Sequence, residues 1–171
     1  MAKAVICIAK TEEQATRIVD DLKAAGFSNN DVSVLLPDRA GSRDFAHEHH
    51  TKAPEGAATG AVAGGVAAGV LGWLVGIGSL AIPGVGPLIA AGPIMAALGG
   101  VAAGGAVGGL AGALVGFGIP EYEAKQYEGK IKNGNILISV HTDESRQRKI
   151  AKEIFDRDHA TDVSSTGEAR V

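Results

Sequence analysis

From Gly56 to Pro120 the chain runs for 65 residues without Asp, Glu, Lys, Arg or His. Twenty of its 25 glycines fall there, and all charged residues and histidines lie outside. The glycines are periodic. Gly56, Gly60, Gly64, Ala68, Gly72 and Gly76 are four apart, as are Ala96, Gly100, Gly104, Gly108, Gly112 and Gly116. Residues at i and i+4 share a helix face. A glycine inside a helix costs roughly 1 kcal/mol against alanine, so a repeated, in-register cost implies something that offsets it. Two smooth faces let helix backbones approach closely and form dispersion contacts and weak Cα–H···O bonds. The pattern predicts a glycine zipper of two helices, about 57–77 and 94–117. The pairing is either within one hairpin or between copies.

Each helix would be about 30 Å long, the hydrocarbon thickness of a bilayer. The stretch between them, "GSLAIPGVGPLIAAGP", is broken by prolines and reads as the hairpin turn, with Pro83, Gly84, Gly86, Pro87 and Pro93 as turn residues. A membrane-spanning hairpin is the leading expectation, and the buried core of a soluble assembly is the alternative. Basic residues flank only the outer ends: Arg39, Arg43 and Lys52 before, Lys125, Lys130 and Lys132 after. The positive-inside rule then places the remainder of the chain in the cytoplasm, at the cytoplasmic membrane. Trp73 is either an anchor at the far interface or a hairpin-packing residue.

The flanking sequence reads differently. "AVICIA" (4–9) is a β-branched apolar run, hence a buried strand. Thr11 with Gln14 three residues on has capping-box spacing, and Gly26 ends the helix that follows. "DVSVLLP" is a second strand. Pro120 opens a helix with Ala124, Tyr127 and Ile131 on one side, closed by Gly134. "ILISV" (136–140) is a third strand, 143–158 a helix with Ile150, Ile154 and Phe155 inward, and "ATDVS" a fourth strand. With the uncharged block and its flanks set aside, the order is βαβ-βαβ. That is the order of a ferredoxin-like α+β domain, a four-stranded antiparallel sheet with one helical face. The expected organisation is a split α/β domain (1–37 and 119–165), a polar linker (38–55), the zipper hairpin (56–118) and a tail (166–171).

Candidate chemistry is sparse. "HEHH" offers His47, His49 and His50 as weak metal ligands, since neighbouring positions rarely direct three rings to one point. A solvated linker is the plainer reading, so no metal and no cofactor are expected. Cys7 sits in a buried strand and reads as an inert core thiol. A lone cysteine allows no internal disulfide, and the N-terminus lacks a signal-peptide pattern. A net charge of −3 gives no electrostatic case for nucleic acid. No phosphate loop of Walker spacing occurs, and the G-x-G-x-x-G matches fall inside an expected helix. Tyr122 and Tyr127 read as packing or interfacial residues. Without a Ser/His/Asp or paired-carboxylate set, no catalytic residue is assigned and a non-enzymatic protein is expected.

"IPGVGPLIAAGP" (82–93), the zipper on either side, "GIPEYEAKQYEGKIKNGNILISV" (118–140) and the opening strand and helix together resemble the bacterial general stress and low-temperature-induced proteins. In that family a small α/β domain is split by a glycine-zipper hairpin. The resemblance implies stress-linked expression and membrane association, and it supplies no catalytic residues. The "HEHH" stretch is not part of it. The expected function is therefore a stress-associated protein that self-assembles through its zipper, with itself and the lipid bilayer as partners. The alternatives are a soluble homo-oligomeric shell or filament, a pore-forming or membrane-remodelling protein, and a small-molecule or metal sensor.

Overall fold

In the computed structural model the described residues are 3–37, 78–82, 86–94, 98, 109–116 and 118–167. They form an α+β fold whose elements, in chain order, are β1 (Lys3–Ala9), α1 (Glu12–Ala24), β2 (Val32–Pro37), β3 (Gly78–Ile82), β4 (Gly86–Ala91), α2 (Gly109–Gly116), α3 (Glu121–Lys132), β5 (Ile136–Thr142), α4 (Ser145–Arg157) and β6 (Thr161–Gly167). One six-stranded sheet has the order β3-β4-β2-β5-β1-β6, and every pairing is antiparallel.

Local chemistry accounts for the element ends. Thr11 caps α1, its Oγ1 accepting from Gln14 N at 3.1 Å. The Gln14 side chain reaches back to accept from Lys10 N at 2.8 Å. Its Nε2 donates to the carbonyls of Asp158 and His159, which ties the start of α1 to the end of α4. Gly26 and Gly134, with φ of +90° and +92°, take the left-handed position after α1 and α3. All the expected flanking strands and helices form. The expected tail begins too early, because Thr166 and Gly167 belong to β6 and pair with Ala4 and Lys3.

Both faces of the sheet are covered, which corrects the expectation of one helical face. Val5, Cys7, Ala9, Val32, Val34, Ile138 and Val140 face α1 and α4, where Ile18, Leu22, Ile154 and Phe155 are buried with them. Ala4, Ile6, Ile8, Leu35 and Leu137 point the other way, into a second core with Leu110, Leu114, Ala124, Tyr127 and Ile131 of α2 and α3. Alternate residues of a strand face opposite sides. A strand buried on both faces therefore reads as an unbroken apolar run, as "AVICIA" does.

The larger correction concerns the uncharged block. Its proline-rich centre is not the far tip of a helical hairpin. Residues 78–82 and 86–91 are the strands β3 and β4, and β4 continues the sheet by pairing Val34 with Ala91 through Pro37 with Leu88. Gly86 and Pro87 are thus strand residues and Pro93 opens a helical turn, while Pro83 and Gly84 lie outside the described residues. Ile94, Leu98, Leu110 and Leu114 are buried in the second core. Within the expected second helix, only the ten residues 99–108 separate Leu98 from α2. Among the described residues no helix is long and apolar enough to cross a membrane.

Candidate functional site

Two features stand out from ordinary packing, an exposed glycine face and a buried histidine cluster. The first is on α2. Leu110, Ala111, Ala113 and Leu114 are buried, while Gly112, Val115 and Gly116 are exposed, Val115 at 41 %. The helix is secured at both ends. At its start Ala111 N donates to Glu128 Oε2 at 2.6 Å, and Lys132 Nζ holds Glu128 Oε1 at 2.8 Å. Burial pushes the Glu128 carboxyl up, but these bonds outweigh it and the net shift is downward. A carboxylate from α3 thereby serves an N-terminus whose own leading residues, Gly109 and Leu110, have no capping side chain. At the other end Gly118 N bonds Val115 O at 2.9 Å and Ile119 N bonds Leu114 O at 3.1 Å. With Gly118 at φ +94°, this is a Schellman closure.

The leucines therefore dock α2 on the domain, and the glycines face away from it. A Cβ added at Gly116 would meet no atom within 4 Å. The domain's own packing does not require glycine there. Gly112 and Gly116 are the two expected zipper residues that can be placed. Gly56, Gly60, Gly64, Gly72, Gly76, Gly100, Gly104 and Gly108 lie outside the described residues, as do Trp73, Arg39, Arg43, Lys52, His47, His49 and His50. Among the described residues no group of three or more metal-ligating side chains gathers.

The second feature was missed in the sequence. The period of two in "ILISVH" sets Leu137, Ser139 and His141 on one face of β5, and Ser33 of β2 pairs with Ser139. His141 Nε2 lies 2.9 Å from Ser33 Oγ and 2.8 Å from Ser139 Oγ. Both serines are buried, and Ser33 Oγ also accepts from Ile94 N at 3.1 Å. Burial lowers the His141 pKa to about 4, so the ring is neutral near pH 7. Gly92 makes the approach possible. Its φ is +86°, and a Cβ there would lie 2.2 Å from Val32 O and 2.9 Å from Ser33 Cα. An open cleft beside His141 is lined by Asp31, Thr142, Asp143, Glu144 and Gln147. Ser33 and Ser139 are buried and do not line this cleft.

Of the other residues singled out in the sequence, Cys7 and Tyr127 are buried. Cys7 is fully buried, and its thiol is pushed well above the usual range, by burial first and the charge of Asp158 second. Tyr127 is buried and donates to Asp162 O at 3.0 Å, whereas Tyr122 is exposed.

Compared with known proteins, the chain matches no family model, no curated protein and no solved structure.

Proposed function

We propose that this is a non-enzymatic, stress-associated protein that self-assembles through its glycine-lined helices. In this reading the α+β domain is a ferredoxin-like core widened by the β3–β4 hairpin, and the glycine-rich segments are buried between copies. The observation that carries the reading is the orientation of α2. Its leucines are used by the domain and its glycines are turned outward, where they gain nothing unless another backbone comes close. Each close Cα–H···O contact contributes perhaps 0.5–1 kcal/mol, enough over several turns to offset the propensity cost of the glycines. The natural counterpart is a second face of the same spacing, and the segment 56–76 carries one in its sequence. The order β2-β5-β1-β6 within the sheet supports the ferredoxin-like description. The stress-linked role follows from the resemblance of residues 82–93 and 118–140.

Assembly between copies is favoured over a two-helix span because Ile94, Leu98, Leu110 and Leu114 are committed to the core against the sheet. They cannot face lipid at the same time. Flotation of untagged protein at native expression level, with and without alkaline carbonate, tests the choice. A dense, lipid-free particle supports burial between copies. Flotation with lipid that survives carbonate overturns it and assigns the segment 57–77 to the bilayer.

A further inference from the structure

Among the described residues β6 ends the sheet, with β1 on one side and no strand on the other. A strand in that position presents a row of unpaired N–H and C=O groups, and proteins blunt such an edge with bulges, charges or prolines. In β6 these devices are confined to its start. The register with β1 shifts between Ile6 and Ile8, and Asp162 takes a left-handed φ of +51°. The Asp162 carbonyl accepts from Tyr127 OH at 3.0 Å. Its carboxylate is turned to α3, where Gln126 Nε2 donates to Oδ1 at 2.9 Å and Lys130 Nζ lies 3.4 Å from Oδ2. Ser164 Oγ donates to Glu123 Oε2 of the same helix at 2.8 Å. One stripe of α3 thus holds the strand against the end of the sheet. From Val163 to Gly167 the sequence is "VSSTG", without charge or proline, and from Ser164 to Gly167 the register with β1 is regular. This part of the edge is held in place and has none of the usual guards.

We propose that β6 is a second self-association surface, at which the Val163–Gly167 edges of two copies pair antiparallel about a two-fold axis at Ser165 and join two sheets into one. A foreign peptide that adds to a sheet edge takes its specificity from pockets for alternate side chains. The cleft lined by Lys10, Thr11 and Leu36 and the cleft lined by Asp31, Thr142 and Gln147 include no residue of β6. A second copy needs no such pocket, because the run is complementary to itself. About that axis Val163 falls opposite the partner's Gly167 and Ser164 opposite the partner's Thr166, so no like charges meet across the pair. The contact is isologous, the same patch on both copies, and closes as a pair. It is separate from the glycine face, since the side chains that hold β6 come from α3 and not from α2. The edge pairing stands without the self-association reading above. Its consequence rests on that reading: edge and glycine face together link copies into assemblies larger than a pair.

Sedimentation velocity on the full chain tests the pairing. Ser165 is exposed, so Ser165→Lys and Ser165→Glu should keep the wild-type circular dichroism spectrum, yet each sets like charges opposite one another at the axis. Each variant alone is expected to lower the sedimenting mass at least twofold, and an equal mixture of the two is expected to restore it. Damage to the fold would not be repaired by mixing. Wild-type mass in either variant alone, or a mixture that stays small, overturns the pairing. Ser165→Cys tests the register with less perturbation. Cys7 is fully buried, so mild oxidation is expected to give a dimer linked through position 165, and a chain that stays unlinked overturns the two-fold arrangement. Gly112→Leu/Gly116→Leu separates the two surfaces. If it keeps the wild-type mass while Ser165→Lys lowers it, the glycine-face reading fails and the edge pairing stands. The reverse pattern overturns the edge pairing and leaves the glycine face.

Discussion

Gly92→Ala is the sharpest test of how the uncharged block is joined to the sheet. The added methyl would sit 2.2 Å from Val32 O and 2.9 Å from Ser33 Cα, both backbone atoms of an interior strand. Neither is the movable end of a side chain, so the 92–94 turn must lift. Alanine at φ +86° costs roughly 1–2 kcal/mol, and overpacking a tight contact adds roughly 1–3 kcal/mol. If the turn lifts instead, the Ile94–Ser33 bond is lost, at about 1 kcal/mol. The expected loss is roughly 3–4 kcal/mol, a large share of the stability of a domain this size. Urea unfolding followed by circular dichroism measures it, the midpoint falling with an unchanged slope. Gly116→Ala is the matched control, because its methyl meets nothing within 4 Å and its backbone has no positive φ. There the stability should be unchanged or higher by about 0.5 kcal/mol. A loss below about 1 kcal/mol for Gly92→Ala would refute the close approach of the turn to β2.

Acid should weaken the fold through His141. Its folded pKa of about 4 lies below the unfolded value near 6.5. The unfolded chain therefore takes up the proton first, and stability falls as pH drops from 6.5 to 4. The full effect is about 3 kcal/mol, and it should be absent from His141→Gln when the two stability–pH curves are compared. Glu128→Ala removes the carboxylate that serves the start of α2, with an expected cost of about 1–2 kcal/mol. Glu128→Gln should cost less, and thermal melts of both variants would check the order. Cys7 should react with an aromatic disulfide reagent only as fast as the protein unfolds, and rapid labelling in native buffer would contradict its burial.

The elements that were legible in the sequence are those whose signals are local. Thr11 with Gln14 gave the start of α1, Gly26 and Gly134 gave two helix ends, and Ala124, Tyr127 and Ile131 gave the inner side of α3. The second helical layer was also written in the sequence, in the unbroken run of β1, but reading it required asking what covers Ile6 and Ile8. "GSLAI" and "GPLIAA" read locally as a turn between helices, because proline breaks a helix, yet they form β3 and β4. Proline is tolerated at a strand's ends, and Pro87 sits near the start of β4. What decides these residues is their pairing with β2, a contact between distant parts of the chain that no local period shows. The His141 cluster stayed hidden for the same reason. Ser139 and His141 share a face by alternation, but Ser33 and Ile94 reach them only through the fold. The glycine stripe was legible as a face; its outward direction at Gly112 and Gly116 followed only from the docking of Leu110 and Leu114.

Self-association through that outward face is the central claim, and the measurement that bears on it most directly is sedimentation velocity of Gly112→Leu/Gly116→Leu beside wild type. Both positions are exposed, and a Cβ at Gly116 is clear of the domain. The variant should keep the wild-type circular dichroism spectrum and unfolding midpoint while sedimenting as a smaller species, because leucines there hold approaching backbones apart. A variant with its fold intact and its size unchanged would contradict the claim, and the glycine face would then have no part in assembly.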